Sequence, residues 1–291
     1  MNSVIVMVMG AIGAGGAGWP PFVWPRPALR QEAAVVQPAE PAGAKAVAGK
    51  EAATADELLA LLETADKDLK SLKADLRYQT VSELDGDEQV RMGHVYFVTR
   101  EEGAEAKSRS INVTFDTLKR GSTLTQENRS FILNRGVFVE KASQDKQINR
   151  YRLGPKGKTI DPLKIGEGPF PLPFGQKPAD IKERFVVELL AGTDGMTFKS
   201  PDAGLKGYFE KTYQLKLIPR PGTKAAGDFA EARIWFQKDG LLPVQARTIK
   251  PNNSGSEEFF LWNIRRNEPV DESLFNTETP AGWQEEEKEL E

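Results

Sequence analysis

The chain has 291 residues, with 39 basic and 42 acidic side chains for a net charge of -3, and 39% of its residues are hydrophobic. That length accommodates one large β domain or two small ones, and balanced charge without a dense Lys/Arg block excludes the electrostatic footprint of a nucleic-acid binder. With no cysteine and one histidine, His94, the chain lacks disulfides, thiol nucleophiles, a lipid-modified N-terminal cysteine and multi-histidine zinc centres.

Residues 1–18 open with an apolar run, Val4 to Ile12, that leads into the small residues Gly13 to Gly18. This pattern matches the hydrophobic and cleavage regions of an export signal, and the run is shorter than the roughly 20 residues a membrane span requires. Residues 19–54 are rich in Pro, Ala and Gly, and we read them as a linker. Thr54 and Glu57 have capping-box spacing, and Leu58, Leu59, Leu61, Leu62, Ala65 and Leu69 then recur at helical spacing, which predicts one amphipathic helix.

At Leu72 the period changes to two. Leu72, Ala74, Leu76 and Tyr78 alternate with Lys73, Asp75, Arg77 and Gln79, the pattern of a strand with one face in water. Strand-length blocks follow around residues 89–99, 110–118, 129–133, 137–141, 147–153 and 185–190, then 209–218, 230–237, 242–249 and 258–265. Turn signals divide them at Asp85-Gly86, Arg135-Gly136, Asp194-Gly195 and Asp239-Gly240. Consecutive hairpins with few crossover helices predict a mostly β fold, one strongly curved antiparallel sheet or barrel.

The meander is interrupted between Asp161 and Glu183. There Pro169, Pro171 and Pro173 exclude an interior strand and alternate with Phe170, Leu172 and Phe174, giving a stiff apolar loop before the helix-like stretch 178–184. Such a loop is either a lid over the strands or a plug in one end of a barrel. The last residues, 285–291, read as a solvated acidic tail.

Catalytic motifs find little support. Gly166 and Gly168 flank Glu167 in the proline-rich loop, where no helix N-terminus follows to cradle a phosphate. The segment Asp85 to Glu88 lacks the spacing of a calcium loop and fits a hairpin turn. His94 has no nucleophile elbow to serve, and the carboxylate pairs lack an apolar pocket that would raise a pKa. No enzyme, cofactor or metal is expected. What remains is apolar: Leu76, Tyr78, Val95, Phe97, Ile111, Val113, Phe115, Phe131, Leu133, Trp235, Phe260 and Trp262 alternate along strands and are the candidates for lining a cavity.

The order of several strings resembles the outer-membrane lipoprotein carrier (LolA-like) superfamily, and within it a planctomycete-type branch. The resemblance runs from about Ala55 to Trp283. Its carriers are the opening helix, Leu72 to Tyr78, Gly93 to Arg100, Asn134 to Val139, Gly168 to Leu172, Phe185 to Leu190, Leu215 to Pro219, and the ending Asn267 to Phe275 with Pro280 to Trp283. It implies a half-open antiparallel barrel of about eleven strands over residues 55–284, with an N-terminal helix and a lid formed by the apolar loop. It further implies a monomeric, non-enzymatic carrier in the periplasm or cell envelope that binds lipid or lipoprotein acyl chains. Such a carrier serves lipoprotein sorting to the outer membrane, receiving its load from a membrane donor complex and passing it to an acceptor protein. An envelope sensor or protein-interaction domain on the same fold is the alternative. The family's lid-latching arginine maps to Arg100, which Glu101 follows where the family has proline.

Overall fold

A computed structural model describes residues 51–65, 67–102, 106–152, 178–197 and 205–289. Helix α1 (Ala55–Ala65) starts where the sequence placed it: the Thr54 hydroxyl accepts from the Glu57 amide at 3.2 Å, and the Glu57 carboxylate accepts from the Ala53 amide at 2.8 Å. This reciprocal cap satisfies two of the amides that a helix start leaves without partners. The helix buries Leu58, Leu59 and Leu62.

Twelve strands follow, in one sheet. They are β1 (Ser71–Ser82), β2 (Glu88–Glu102), β3 (Ala106–Arg120), β4 (Thr123–Asn134), β5 (Val137–Ala142), β6 (Gln147–Arg152), β7 (Phe185–Ala191), β8 (Thr212–Pro219), β9 (Glu231–Gln237), β10 (Pro243–Ile249), β11 (Gly255–Arg266) and β12 (Gln284–Glu289). Short helices α2 (Pro178–Arg184), α3 (Lys206–Phe209) and α4 (Lys224–Asp228) lie between them. No described helix is long and apolar enough to cross a membrane.

The strand order is β12-β6-β5-β4-β3-β2-β1-β11-β10-β9-β8-β7, so the two ends of the meander meet through β1 and β11 while β12 and β7 are the edges of the sheet among the described residues. This is an open half-barrel: the alternation predicted the antiparallel sheet, and the resemblance implied that it stays open. Turn glycines enter the left-handed region at Gly86, Gly136, Gly195 and Gly240, with φ between 68° and 76°, where a side chain would be strained.

Two details differ from the sequence reading. The acidic tail is in part a strand: β12 pairs with β6, the one parallel pairing in the sheet, and Glu285 takes a 2.7 Å hydrogen bond from Arg150. Charge made this stretch look like a tail, but backbone pairing and Arg150 dock it while its side chains stay in water. The segment 209–218 is also not one strand, because Phe209 ends α3 and β8 begins at Thr212.

Candidate ligand-binding face

Cross-strand register separates the sheet into two faces. On β1 to β4, Leu76, Val95, Phe97, Ile111, Val113, Phe115, Phe131 and Leu133 point to one side together with Tyr78, all at most 4% exposed, in a single cluster. We call this the inner face. It continues across β11 to β7, where Ala246, Ile234 and Leu215 occupy the same phase. There α1 and α2 cover it, with Leu58, Leu59, Leu62 and Ile181 packed against Phe185, Leu215, Leu217 and Phe236.

Nine of the twelve candidate cavity residues therefore share one face. The other three do not. Trp235, Phe260 and Trp262 are one residue out of phase and lie on the outer face, where Trp235 and Phe260 pack with Phe209 and Val244 and the Trp235 indole donates to the Gly192 carbonyl at 2.7 Å. Trp262 stacks on Phe260 with 6.0 Å between ring centroids. Both faces of β9 and β11 are apolar, so alternation alone could not assign these residues to a side.

Arg100 also lies on the outer face. It sits three residues after Phe97 and so projects to the outer face. There its guanidinium donates to the Ser110 hydroxyl at 2.6 Å, contacts Glu272 and lies 5.3 Å from the Phe275 ring centroid. It latches the closing segment. The Asn112 and Asn134 side-chain amides donate to the carbonyls of Leu274 and Phe275 at 2.7 and 2.8 Å, and Lys141 donates to Asn276 at 2.8 Å. The sequence-defined lid residues Phe170, Leu172 and Phe174 lie outside the described residues.

The sequence reading missed the polar half of the inner face. Gln89 and Arg91 continue the phase of Val95 and Phe97, with Gly93 between them; a Cβ on Gly93 would overlap the Thr114 carbonyl where β3 bulges at Asp116. Arg91 is 6% exposed and its Nε donates to both oxygens of Glu127 at 3.0 and 3.1 Å. Arg129 bridges to Glu140, which also accepts from Asn149 at 2.9 Å and from the Tyr151 hydroxyl at 2.8 Å. Burial, and then the adjacent Glu140 charge, raise the Tyr151 phenol well above the usual tyrosine range. Burial likewise raises Tyr78, aided by the charge of Glu257, which pairs with Lys250 at 3.3 Å. The available signal was polar side chains occupying the inward phase of otherwise apolar strands.

His94 faces outward from β2 between two carboxylates, with Nδ1 3.0 Å from Asp75 and Nε2 3.3 Å from Asp116. Asn263 donates to the other oxygen of Asp75 at 2.6 Å. Among the described residues no group of three His, Asp or Glu side chains is arranged to hold a metal ion.

No family model and no curated protein matches the chain. Solved structures do. A conserved protein of Thermus thermophilus is 13% identical with a TM-score of 0.41, over 80% of this chain and 99% of that one. A chain of the Pseudomonas aeruginosa MucA/MucB complex is 13% identical with a TM-score of 0.41, over 76% and 60%. A LolA superfamily protein of Nitrosomonas europaea is 10% identical with a TM-score of 0.32, over 78% and 99%. These are similarities of backbone layout, and the functional reading rests on the chain's own geometry.

Proposed function

We propose that this protein is a non-enzymatic carrier of the cell envelope that shelters the acyl chain of a lipid or lipoprotein on the inner face of its half-barrel. One observation carries the reading: apolar side chains contiguous across β1 to β4 share the inner face of a sheet whose edges β7 and β12 are not joined. Such a surface binds by area alone. Each buried methylene contributes about 0.8 kcal/mol, so ten supply about 8 kcal/mol and about twenty offset even the upper end of an association cost of roughly 4–15 kcal/mol, without a cofactor. The lone histidine lies on the opposite face, away from any ligand held there.

The apolar loop serves as the lid, with Phe170, Leu172 and Phe174 presented by the intervening prolines. Residues 1–18 direct export, and a membrane donor and a protein acceptor load and unload the carrier. Native mass spectrometry of the full chain purified from membranes is expected to show an acyl-bearing mass. Replacing both Phe170 and Phe174 with serine should weaken uptake of a fluorescent acyl probe while leaving folding stability nearly unchanged. A parent protein that carries no acyl mass and takes up no probe refutes the carrier.

The sensor reading has one observation of its own. Strand β7 is an edge of the sheet among the described residues and its Val186 is 43% exposed, a geometry suited to strand addition by a partner. A sensor requires residues 1–55 to stay attached to the membrane, whereas a carrier is released from it. Fractionation of the chain tagged at its C-terminus separates the two.

A further inference from the structure

The inner face is not uniformly apolar, and the change in character runs along the strands. Toward the end that holds the β1–β2, β3–β4, β5–β6 and β10–β11 turns, the inward positions become Gln89, Arg91, Glu127, Arg129 and Glu140. A polar network this deeply buried is expected to have every donor and acceptor satisfied. Here Nη1 of Arg91, Oε1 of Gln89 and Nε of Arg129 have no hydrogen-bond partner among the described residues; the last lies 3.7 Å from a Glu127 oxygen, whereas the first two belong to adjacent inward side chains. Each of those two belongs to a residue less than 8% exposed. The Gln89 amide nitrogen is already committed, donating to Asp87 at 2.6 Å, so its oxygen is the group left over. The two residues are separated by one position on β2 and therefore point the same way.

Charge decides what kind of group fits. Arg91 is matched by Glu127, Arg129 by Glu140, and Lys250 by Glu257. Arg120, directly opposite Gln89, is engaged as well, so among the described residues no unpaired cation is left to offset an incoming carboxylate or phosphate, and burying an uncompensated anion is strongly unfavourable. The leftover groups call instead for one acceptor and one donor on a neutral molecule. A carbonyl oxygen can accept from Arg91 Nη1, and an adjacent hydroxyl or amide N–H can donate to Gln89 Oε1.

We infer that Arg91 and Gln89 form a subsite for the neutral polar head of the bound chain, an acyl ester or acyl amide carrying its carbonyl together with a hydroxyl or N–H donor. The inference rests on the carrier reading, because it places the head beside the apolar stretch that holds the hydrocarbon. It orients the ligand: tail along Val95, Phe97, Val113 and Leu133, head toward the end with the β1–β2 turn. Recognition of a head with both functions then selects esters and amides over plain hydrocarbon, through a hydrogen bond to a charged donor in a dry site.

The test is displacement of a fluorescent acyl probe from the full chain by four competitors of one chain length: a monoacylglycerol, a fatty-acid methyl ester, the free fatty acid and an alkane. The monoacylglycerol should compete best, about tenfold ahead of the methyl ester, and the ester about tenfold ahead of the alkane. Arg91→Lys retains the charge opposite Glu127 but loses the second guanidinium nitrogen, and should erase the advantage of the ester over the alkane. Gln89→Met changes no charge and should erase the advantage of the monoacylglycerol over the ester, so it serves even if the arginine variant fails to fold. His94→Gln, on the outer face, should retain the parental ranking. If both inner-face variants keep that ranking, or if the free fatty acid outcompetes the methyl ester tenfold, the subsite is refuted while the carrier stands. If no acyl competitor displaces the probe from the parent, the carrier and the subsite fall together.

Discussion

The two halves of the inner face are built from the same sheet in the same phase, yet they are used differently. Over β7 to β10 the face is a conventional core: α1 and α2 touch each other and β7, and leucines from α1 fill the space above Leu215, Ile234 and Phe236. Over β1 to β6 no residue of a described helix joins the cluster, and the face ends in a charged network. Both halves are buried, but only the first is covered by described helices, and the proposed carrier would accordingly draw stability from the first half and ligand contact from the second.

Truncating a leucine in each half tests that assignment with the largest expected effect. Leu58→Ala, at a site with no exposure, should lower unfolding free energy by about 2–5 kcal/mol in urea denaturation and leave probe affinity of the folded protein unchanged. Leu133→Ala should lower both stability and probe affinity. Equal losses of affinity in the two variants would mean that the halves form one cavity, and the contrast would fail.

The buried tyrosines of the β1 to β6 half predict a smaller effect with a definite sign. Tyr78 and Tyr151 both ionise at higher pH in the folded protein than in the unfolded chain. Below the unfolded value of about 10 both states are protonated and the contribution of each phenol is complete. Above it the unfolded chain ionises first, so stability falls as pH rises, by up to about 1.4 kcal/mol per pH unit for each tyrosine. Tyr78→Phe and Tyr151→Phe should each flatten the decline measured by urea denaturation above pH 10. A decline of the same slope in the double variant would place the sensitive groups elsewhere.

On the outer face, Arg100→Met removes the contacts to Ser110 and Glu272 and is expected to cost about 1.5–3 kcal/mol, the range for hydrogen bonds to a charged group. The loss should be local. Amide exchange should accelerate in residues 272–289 before it does so in β1 or β2, and acyl-probe affinity should stay at the parental level. A variant that loses the probe while its closing segment stays protected would restore a lid-latch role to Arg100.

Much of this was legible in the chain. The capping box, the switch of period at Leu72 and the Asp-Gly and Arg-Gly turns fix where elements begin and end through local chemistry, and the structure follows them. That nine of the candidates share one face was legible because β1 to β4 alternate with one face polar. What the sequence left unassigned has physical causes. Trp235, Phe260 and Trp262 lie in strands apolar on both sides, where a period of two has no reference face. Arg100 was placed by analogy of motif, and a count of three from Phe97 already turns it outward. The inward Arg91, Glu127, Arg129 and Glu140 were hidden because a charged residue in a strand is ordinarily read as solvent-facing, and only cross-strand register shows that these four meet. The parallel strand β12 rests on pairing between residues more than 130 apart, which no local pattern encodes.

The smallest expected effect belongs to the most conspicuous polar group on the outer face. His94 stands between Asp75 and Asp116, and both ring nitrogens can donate to these carboxylates only when the imidazole carries two protons. The arrangement invites a catalytic reading, but the three side chains are 43%, 29% and 50% exposed, and exposed ion pairs contribute at most about 1 kcal/mol. Nor does the site border the apolar inner face: one strand alternation separates His94 from Val95 and places the sheet between the imidazole and that face. His94→Gln should therefore change unfolding free energy by less than about 1 kcal/mol and leave probe displacement at the parental level. A variant that loses probe displacement would show that the two faces are coupled through β2, and the proposed separation of outer-face contacts from inner-face binding would have to be redrawn around that strand.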